Sequence, residues 1–103
     1  MLIMTRFSYK LYRQDGNVLL AISDAEIVGR TLEEGGLEIV VSEDFYAGSE
    51  CDGKKALELV RSSTIVNAIG RRIVDLLVRE RFIDRANILV ISGVPHAQII
   101  AVE

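Results

Sequence analysis

The chain has 103 residues, of which 50% are hydrophobic, 26% charged and 6% aromatic, and its formal net charge is −3. This composition excludes a disordered tail, a collagen-like repeat and a disulfide scaffold. We expect a single globular domain over residues 1–103.

The single cysteine and the distribution of charge restrict the cellular compartment and the partners expected for the chain. Cys51 is the only cysteine, which excludes an internal disulfide and is typical of a cytoplasmic protein. The longest uncharged stretch, residues 86–102, contains polar residues and is too short for a bilayer span, so no membrane partner is expected. Residues 1–52 hold four basic and ten acidic side chains, whereas residues 53–103 hold eight and five. Such asymmetry either steers a polyanion or another partner, or arises by chance.

The first half of the chain predicts strands. Apolar and polar residues alternate from Phe7 to Tyr12, as in a half-buried strand, and Asp15-Gly16 then predicts a hairpin turn. The apolar run Val18 to Ile22 predicts a central strand. Three further segments complete this half: one short helical turn within residues 24–32, a strand over residues 37–41, and a polar loop over residues 42–53.

The second half predicts two helices and two strands. Asp52 is placed to cap a helix starting near Gly53, with a break at residues 62–64. Its predicted inner face consists of Ala56, Leu57 and Val60. Helical spacing predicts a second helix with Val66, Ile69, Ile73, Leu76 and Leu77 inside and an ion pair between Asp75 and Arg79 outside.

Strands over residues 87–91 and 97–102 then close the chain around a turn that contains His96. The predicted order is therefore β-β-β-α-α-β-β. It indicates an α+β fold in which an antiparallel sheet of about five strands carries two helices on one face.

Two polar features of the second half are candidate binding residues. On the predicted helix, Thr64, Asn67 and Arg71 share one stripe beside Gly70, where a ligand or backbone could approach closely. His96, the only histidine, falls in the predicted last turn, where it could serve as an acid, a base or an anion contact. Both residues have a purely structural alternative: Asn67 as a buried side chain hydrogen-bonded to a loop, and His96 as a turn residue hydrogen-bonded to nearby backbone. Tyr46 could reach the same area from the preceding loop.

Eight basic residues after position 53 favour an RNA partner. They are Lys54, Lys55, Arg61, Arg71, Arg72, Arg79, Arg81 and Arg85. Acidic residues interleave with them, the sequence pI is about 5.2, and the sequence motifs of common RNA- and DNA-binding modules are absent. A solvated helix face is the alternative interpretation, and DNA is not an expected partner.

Four stretches carry a resemblance to a known family: residues 19–26, 43–48, 64–70 and 93–98. They read LLAISDAE, EDFYAG, TIVNAIG and GVPHAQ, and with them the chain resembles the archaeal domain-of-unknown-function family numbered four hundred and twenty-four. The resemblance implies an archaeal cytoplasmic protein and supplies no activity. It favours as site residues Asp24, Glu26, Tyr46, Asn67, Gly70, His96 and Gln98.

The leading functional hypothesis is a non-enzymatic binding module that contacts an RNA, a nucleotide or a protein. One alternative is a small enzyme or anionic-ligand site in which Asp24 or Glu26 and His96 act as acid and base while Asn67 or Arg71 orients the substrate. Another is a structural homodimer that pairs through apolar strands. The sequence assigns no catalytic residue and predicts neither a cofactor nor a metal, since one histidine and one cysteine make a poor ligand set.

Overall fold

The computed structural model describes residues 6–100 and contains eight strands and three α-helices. In chain order they are β1 (Phe7–Gln14), β2 (Asn17–Asp24), β3 (Thr31–Glu34), β4 (Leu37–Val40), α1 (Glu43–Tyr46), β5 (Ser49–Cys51), α2 (Gly53–Arg61), β6 (Ile65–Ile69), α3 (Arg71–Arg79), β7 (Leu89–Ile91) and β8 (Val94–Ile100). Short 3₁₀ turns occupy Ala25–Ile27 and Arg85–Asn87. The mixed α+β composition agrees with the sequence prediction.

The two longest strands form the predicted hairpin. β1 and β2 pair antiparallel from Phe7 opposite Asp24 to Gln14 opposite Asn17. Asp15 and Gly16 make the turn with φ values of 52° and 80°, the left-handed conformation that a two-residue hairpin loop requires. β2 then lies between β1 and β6, in the central position that its apolar sequence predicts.

The sheet differs from the predicted antiparallel arrangement of about five strands. Six strands pair in the order β5-β1-β2-β6-β8-β7, and β3 and β4 form a separate hairpin. The β2–β6 pair is parallel, with Leu19 opposite Ile65 and Ser23 opposite Ile69, and the other pairs are antiparallel. A parallel neighbour needs a long crossover, and here the chain between β2 and β6 supplies it with the β3–β4 hairpin, α1, β5 and α2.

The predicted helix across residues 66–77 is wrong in its first part. Residues Ile65–Ile69 form β6, and α3 begins only at Arg71. β6 is buried on both sides, because Val66 and Ala68 face the core beneath the helices while Ile69 faces the opposite core. A strand covered on both faces is a continuous apolar run, which periodicity cannot distinguish from a buried helix.

Helices α2 and α3 pack on one face of the sheet, as predicted, with corrected details. The Asp52 carboxylate accepts a hydrogen bond from the backbone N–H of Lys55 at 2.9 Å and so caps α2. Leu59, rather than Leu57, is buried beside Ala56 and Val60.

On α3 the predicted Asp75–Arg79 ion pair is not formed. Asp75 instead contacts Arg85, with the Arg85 Nη2 atom 3.6 Å from Asp75 Oδ1. Arg85 belongs to the 3₁₀ turn that follows α3, so this pairing depends on how the chain returns toward the helix.

The other face of the sheet is covered in part by the β3–β4 hairpin and α1. The second core contains Leu32 of β3, Val41 directly after β4 and Tyr46 of α1, which pack with Ala21 and Ile69 of the sheet. The helical turn predicted within residues 24–32 is present as the 3₁₀ turn Ala25–Ile27. β3, α1 and β5 are missing from the prediction, which gave a loop over residues 42–53. Each has only three or four residues, too few for a periodic pattern to show.

The last hairpin is tighter than predicted. Ser92 and Gly93 alone form its turn, with φ values of 53° and 80°, and β8 already begins at Val94. His96 therefore lies within a strand and not in a turn. The final two residues of the predicted strand, 101 and 102, lie outside the described residues.

Candidate functional site

The start of α3 is held by a carboxylate from a different element. Asp24, at the end of β2, is buried, and its two carboxylate oxygens accept the backbone N–H groups of Arg72 at 2.9 Å and Ile73 at 2.8 Å. These N–H groups belong to the first helical turn, which has no partners within the helix. Burial raises the pKa of Asp24, although the two N–H donors and the Arg72 charge act in the opposite direction. Asp24 is therefore an N-terminal cap supplied from across the fold.

Gly70 makes this contact between β2 and α3 possible. It stands at the N-cap position with φ of 126° and contributes no side chain. A Cβ atom there would lie 2.5 Å from the Cγ atom of Asp24. The Gly70 N–H in turn donates to the backbone oxygen of Pro95 at 2.9 Å, which ties the same junction to β8.

Arg72 ties the first strand to this junction. Its guanidinium bonds both carboxylate oxygens of Glu26, with Nε 3.0 Å from Oε2, and donates to the backbone oxygen of Arg6 at 2.8 Å. It also lies over the Phe7 ring, 5.1 Å from the ring centroid. The hydrogen bond from Arg72 lowers the pKa of Glu26. Asp24, Glu26 and Arg72 are therefore engaged with one another or with backbone.

Three adjoining clefts surround the outer side of α3, and we call their lining the α3 arginine surface. The clefts have volumes of about 600, 540 and 550 Å³, and Arg85 lines all three. The charged residues of the lining are Arg71, Arg72, Arg79, Arg81, Arg85, Asp75 and Asp84. Apolar side chains lie between them, including Phe7, Leu76 and Phe82. The surface thus combines guanidinium groups with apolar patches.

Asn67, His96 and Gln98 lie together on the opposite face of the sheet. Asn67 is opposite Gln98 in the strand register, and the His96 Nε2 atom lies 2.7 Å from Asn67 Oδ1. Because the amide oxygen only accepts, Nε2 carries the proton and Nδ1 is left as the acceptor of the ring. Burial lowers the pKa of His96. These three residues form a polar cluster in the middle of the face.

The predicted site residues are therefore divided between the two sides of the sheet. Asp24 and Gly70 are in contact where α3 begins, on the helix side, and Glu26 reaches the same junction through Arg72. Arg71 begins α3 there, but its side chain extends to Gly93. His96 pairs opposite Ile69 of the other core, so the structure does not bring it together with Asp24 or Glu26 as an acid–base pair. The predicted stripe of Thr64, Asn67 and Arg71 is likewise not formed, since these residues lie before β6, within β6 and on α3.

Three of the remaining predicted residues have structural contacts. Thr64 Oγ1 accepts the backbone N–H of Val18 at 2.9 Å, which aligns β6 beside β2. Tyr46 is buried in the second core, and this burial raises the pKa of its hydroxyl to about 12. Arg71 donates to the backbone oxygen of Gly93 at 3.1 Å and lines one of the clefts.

Four arginines that line the clefts are missing from the predicted site residues: Arg72, Arg79, Arg81 and Arg85. They are predicted only as members of the basic set that either contacts RNA or forms a solvated helix face. Their signal was the density of arginine between residues 71 and 85, but the clefts depend on the return of the chain along α3. Among residues 6–100, no group of three His, Cys, Asp or Glu side chains is arranged to hold a metal, and no helix is long and apolar enough to cross a bilayer.

Comparison with known proteins gives a family and a fold without an activity. The chain is similar to an uncharacterized conserved protein from Methanopyrus kandleri, whose crystal structure superposes with a TM-score of 0.76 at 27% identity over 95% of each chain. A search of curated proteins finds no match. Residues 12–102 match the family described as a protein of unknown function, DUF424. Since this match covers most of the sequence, the chain belongs to the DUF424 family.

Proposed function

We propose that the protein is a non-enzymatic binding module whose partner is single-stranded RNA, held through its phosphates by the α3 arginine surface. One observation carries the proposal. Five of the twelve basic side chains of the chain line the three clefts, together with only two of its fifteen acidic side chains. In a chain with net charge −3, this surface is locally positive.

The chemistry of the lining favours phosphate as the ligand. Guanidinium groups match phosphate oxygens in a bidentate geometry and stay charged at every physiological pH. Arg79 and Arg81 have no hydrogen bond or ion pair to another side chain within residues 6–100, so their donors are available to a ligand.

The apolar patches favour a single strand over a duplex. A single strand can turn its bases toward Leu76, Phe82 and Ile83 while its phosphates contact the arginines. A duplex buries its bases and offers mainly charge, and the acidic remainder of this protein opposes a long polyanion. The proposed partner therefore has few phosphates in contact at one time.

The test is binding of a fluorescently labelled single-stranded RNA, followed by anisotropy at several salt concentrations. We expect affinity to fall with salt with a logarithmic slope of about −2, because three arginines in contact contribute roughly 0.7 each for a single strand. Arg79→Glu should weaken binding by about tenfold at low salt. Arg13→Glu is the matched control, because it changes the net charge equally at an exposed position on β1, away from the clefts.

Each outcome decides the proposal. Equal loss of affinity in both variants would show a general charge effect and contradict a site on α3. Binding of poly-glutamate as tightly as RNA would contradict phosphate recognition, and a preference for single-stranded DNA would contradict the choice of RNA. Absence of RNA binding at low salt would overturn the proposal entirely.

A further inference from the structure

The cleft between β1, α2 and α3 contains a guanidinium group that is fixed in place. Arg72 is bound by both carboxylate oxygens of Glu26 and donates to the backbone oxygen of Arg6 at 2.8 Å. One face of its guanidinium lies over the Phe7 ring, 5.1 Å from the ring centroid, while the side chain is 34% exposed and lines the cleft. The exposed face of Arg72 is therefore a flat, positively charged surface that is already in position before a ligand binds.

The size of the cleft and the chemistry of Arg72 suit a planar base. The cleft has a volume of about 600 Å³, within the range of small-molecule sites, and apolar Leu76 lies beside Arg72 in its lining. In complexes with single-stranded RNA, unstacked bases stack on the guanidinium planes of arginines. Because the contacts of Arg72 hold its side chain in one conformation, stacking on it costs little conformational entropy.

One wall of this cleft carries a carboxylate and a guanidinium side by side. Asp75 lies one helical turn after Arg72 on α3, and the Arg85 Nη2 atom is 3.6 Å from Asp75 Oδ1. This distance is too long for a hydrogen bond, and the two side chains are 50% and 68% exposed, so the ion pair contributes little to stability. The pair therefore offers a ligand two acceptor oxygens next to a guanidinium donor.

This arrangement of acceptors and donor matches the Watson–Crick edge of guanine. Guanine presents the O6 acceptor followed by two parallel donors, N1–H and N2–H, which can both bond one carboxylate as an arginine does. Adenine and cytosine direct one N–H donor along this edge beside a ring acceptor, and uracil has one N–H between two carbonyl oxygens. Guanine is therefore the RNA base that uses both oxygens of Asp75.

We propose that this cleft is a guanine-specific subsite of the α3 arginine surface. The base stacks on Arg72, donates from N1–H and N2–H to the Asp75 carboxylate, and accepts at O6 from Arg85. Arg79, one turn further along the same face of α3, contacts the adjacent phosphate. The inference rests on the proposed RNA-binding function and adds a base preference to it. It also accounts for a carboxylate among the arginines of the lining.

The test is the affinity for short oligouridines that carry one central guanosine, adenosine, cytidine or inosine, measured by fluorescence anisotropy at low salt. Guanosine should bind about tenfold more tightly than adenosine, cytidine or uridine at this position, which is the discrimination expected of one bidentate pair. Inosine keeps O6 and N1–H but lacks the N2 amino group, so it should bind severalfold more weakly than guanosine.

Asp75→Asn tests the carboxylate with a minimal change, because it replaces one acceptor oxygen by an amide NH₂ group. This variant should bind the whole series with affinities within about twofold of one another. Glu58→Gln is the matched control, since it also converts an exposed helix carboxylate to an amide and lies on α2, outside the lining of the three clefts. It should retain the full preference for guanosine.

The outcomes separate the guanine subsite from the proposed function. RNA binding with equal affinity for every central base would overturn the subsite and leave the RNA-binding function standing, whereas absence of RNA binding would overturn both. Tightest binding of adenosine or cytidine, or a guanosine preference that persists in Asp75→Asn, would also overturn the subsite. An equal loss of preference in Glu58→Gln and Asp75→Asn would show a general charge effect and contradict the role of Asp75.

Discussion

At the start of α3, the absence of one side chain decides how three elements meet. Gly70 has φ of 126°, a conformation that residues with a Cβ rarely adopt, and its Cα hydrogen faces the Asp24 carboxylate. The same carboxylate caps the first turn of the helix. Position 70 therefore combines a backbone requirement with a packing requirement, whereas the other glycines with positive φ have no contact closer than 3.9 Å to an added Cβ: Gly16, Gly29, Gly35, Gly36 and Gly93.

Gly70→Ala should lower the free energy of unfolding by more than about 3 kcal/mol, because the new Cβ displaces Asp24 from the helix N-terminus as well as straining the backbone. Gly16→Ala is the control. Gly16 also has a positive φ, 80°, but nothing lies within 4 Å of the added Cβ, so its cost should be about 1 kcal/mol. Chemical denaturation measures both, and equal costs for the two variants would contradict the role of the Asp24 contact.

His96 allows a prediction about pH, since it is the only histidine of the chain. Burial lowers its folded pKa below 6.5, so the unfolded chain takes up a proton at a pH where the folded protein does not. Stability linked to His96 is therefore fully present above about pH 6.5 and declines as the pH falls toward the folded pKa. His96→Gln should lack this decline when unfolding is measured between about pH 7.5 and pH 5.

The single imidazole signal in an NMR titration provides the direct measurement for His96. Its midpoint should lie below 6.5. A midpoint at or above that value would show that burial does not control this side chain, and the stability of wild type should then no longer decline relative to that of His96→Gln as the pH falls.

At the scale of elements, caps and turns predict helices and strands correctly, whereas an apolar run does not distinguish a buried strand from a buried helix. α2 is predicted from its Asp52 cap, and β1 and β2 from alternation and the Asp15-Gly16 turn, because these signals act between residues close in sequence. β6 is predicted as helix because its residues are covered on both faces by elements that are distant in the chain. Its strand conformation follows from pairing with β2 and β8, which no window around residue 67 contains.

The same distinction applies to the candidate site. Asp24, Glu26 and Gly70 are named from sequence and lie at one junction, since the parallel β2–β6 pair ends both strands at the same edge. Arg71 begins the helix at this junction, but its side chain extends to Gly93. His96 is named with them but lies on the other face, because β8 begins three residues before the predicted strand and its register places His96 opposite Ile69. The position of this strand boundary therefore separates His96 from Asp24 and Glu26, which were predicted to act together.

At the scale of the whole molecule, charge and shape act together. The acidic half supplies β1 to β5, and the basic half supplies α3 and the clefts around it.

The sequence by itself determined the α+β class, the first hairpin, the cap of α2 and the separation of charge, because each depends on composition or on residues close in the chain. Only the tertiary structure decided the strand order, the parallel partner of β6, the face on which His96 lies and the clefts along α3. These features depend on contacts between distant segments, whose free energy is absent from any local pattern. The return of Arg85 to Asp75 is one such contact, and it brings the last arginine to all three clefts.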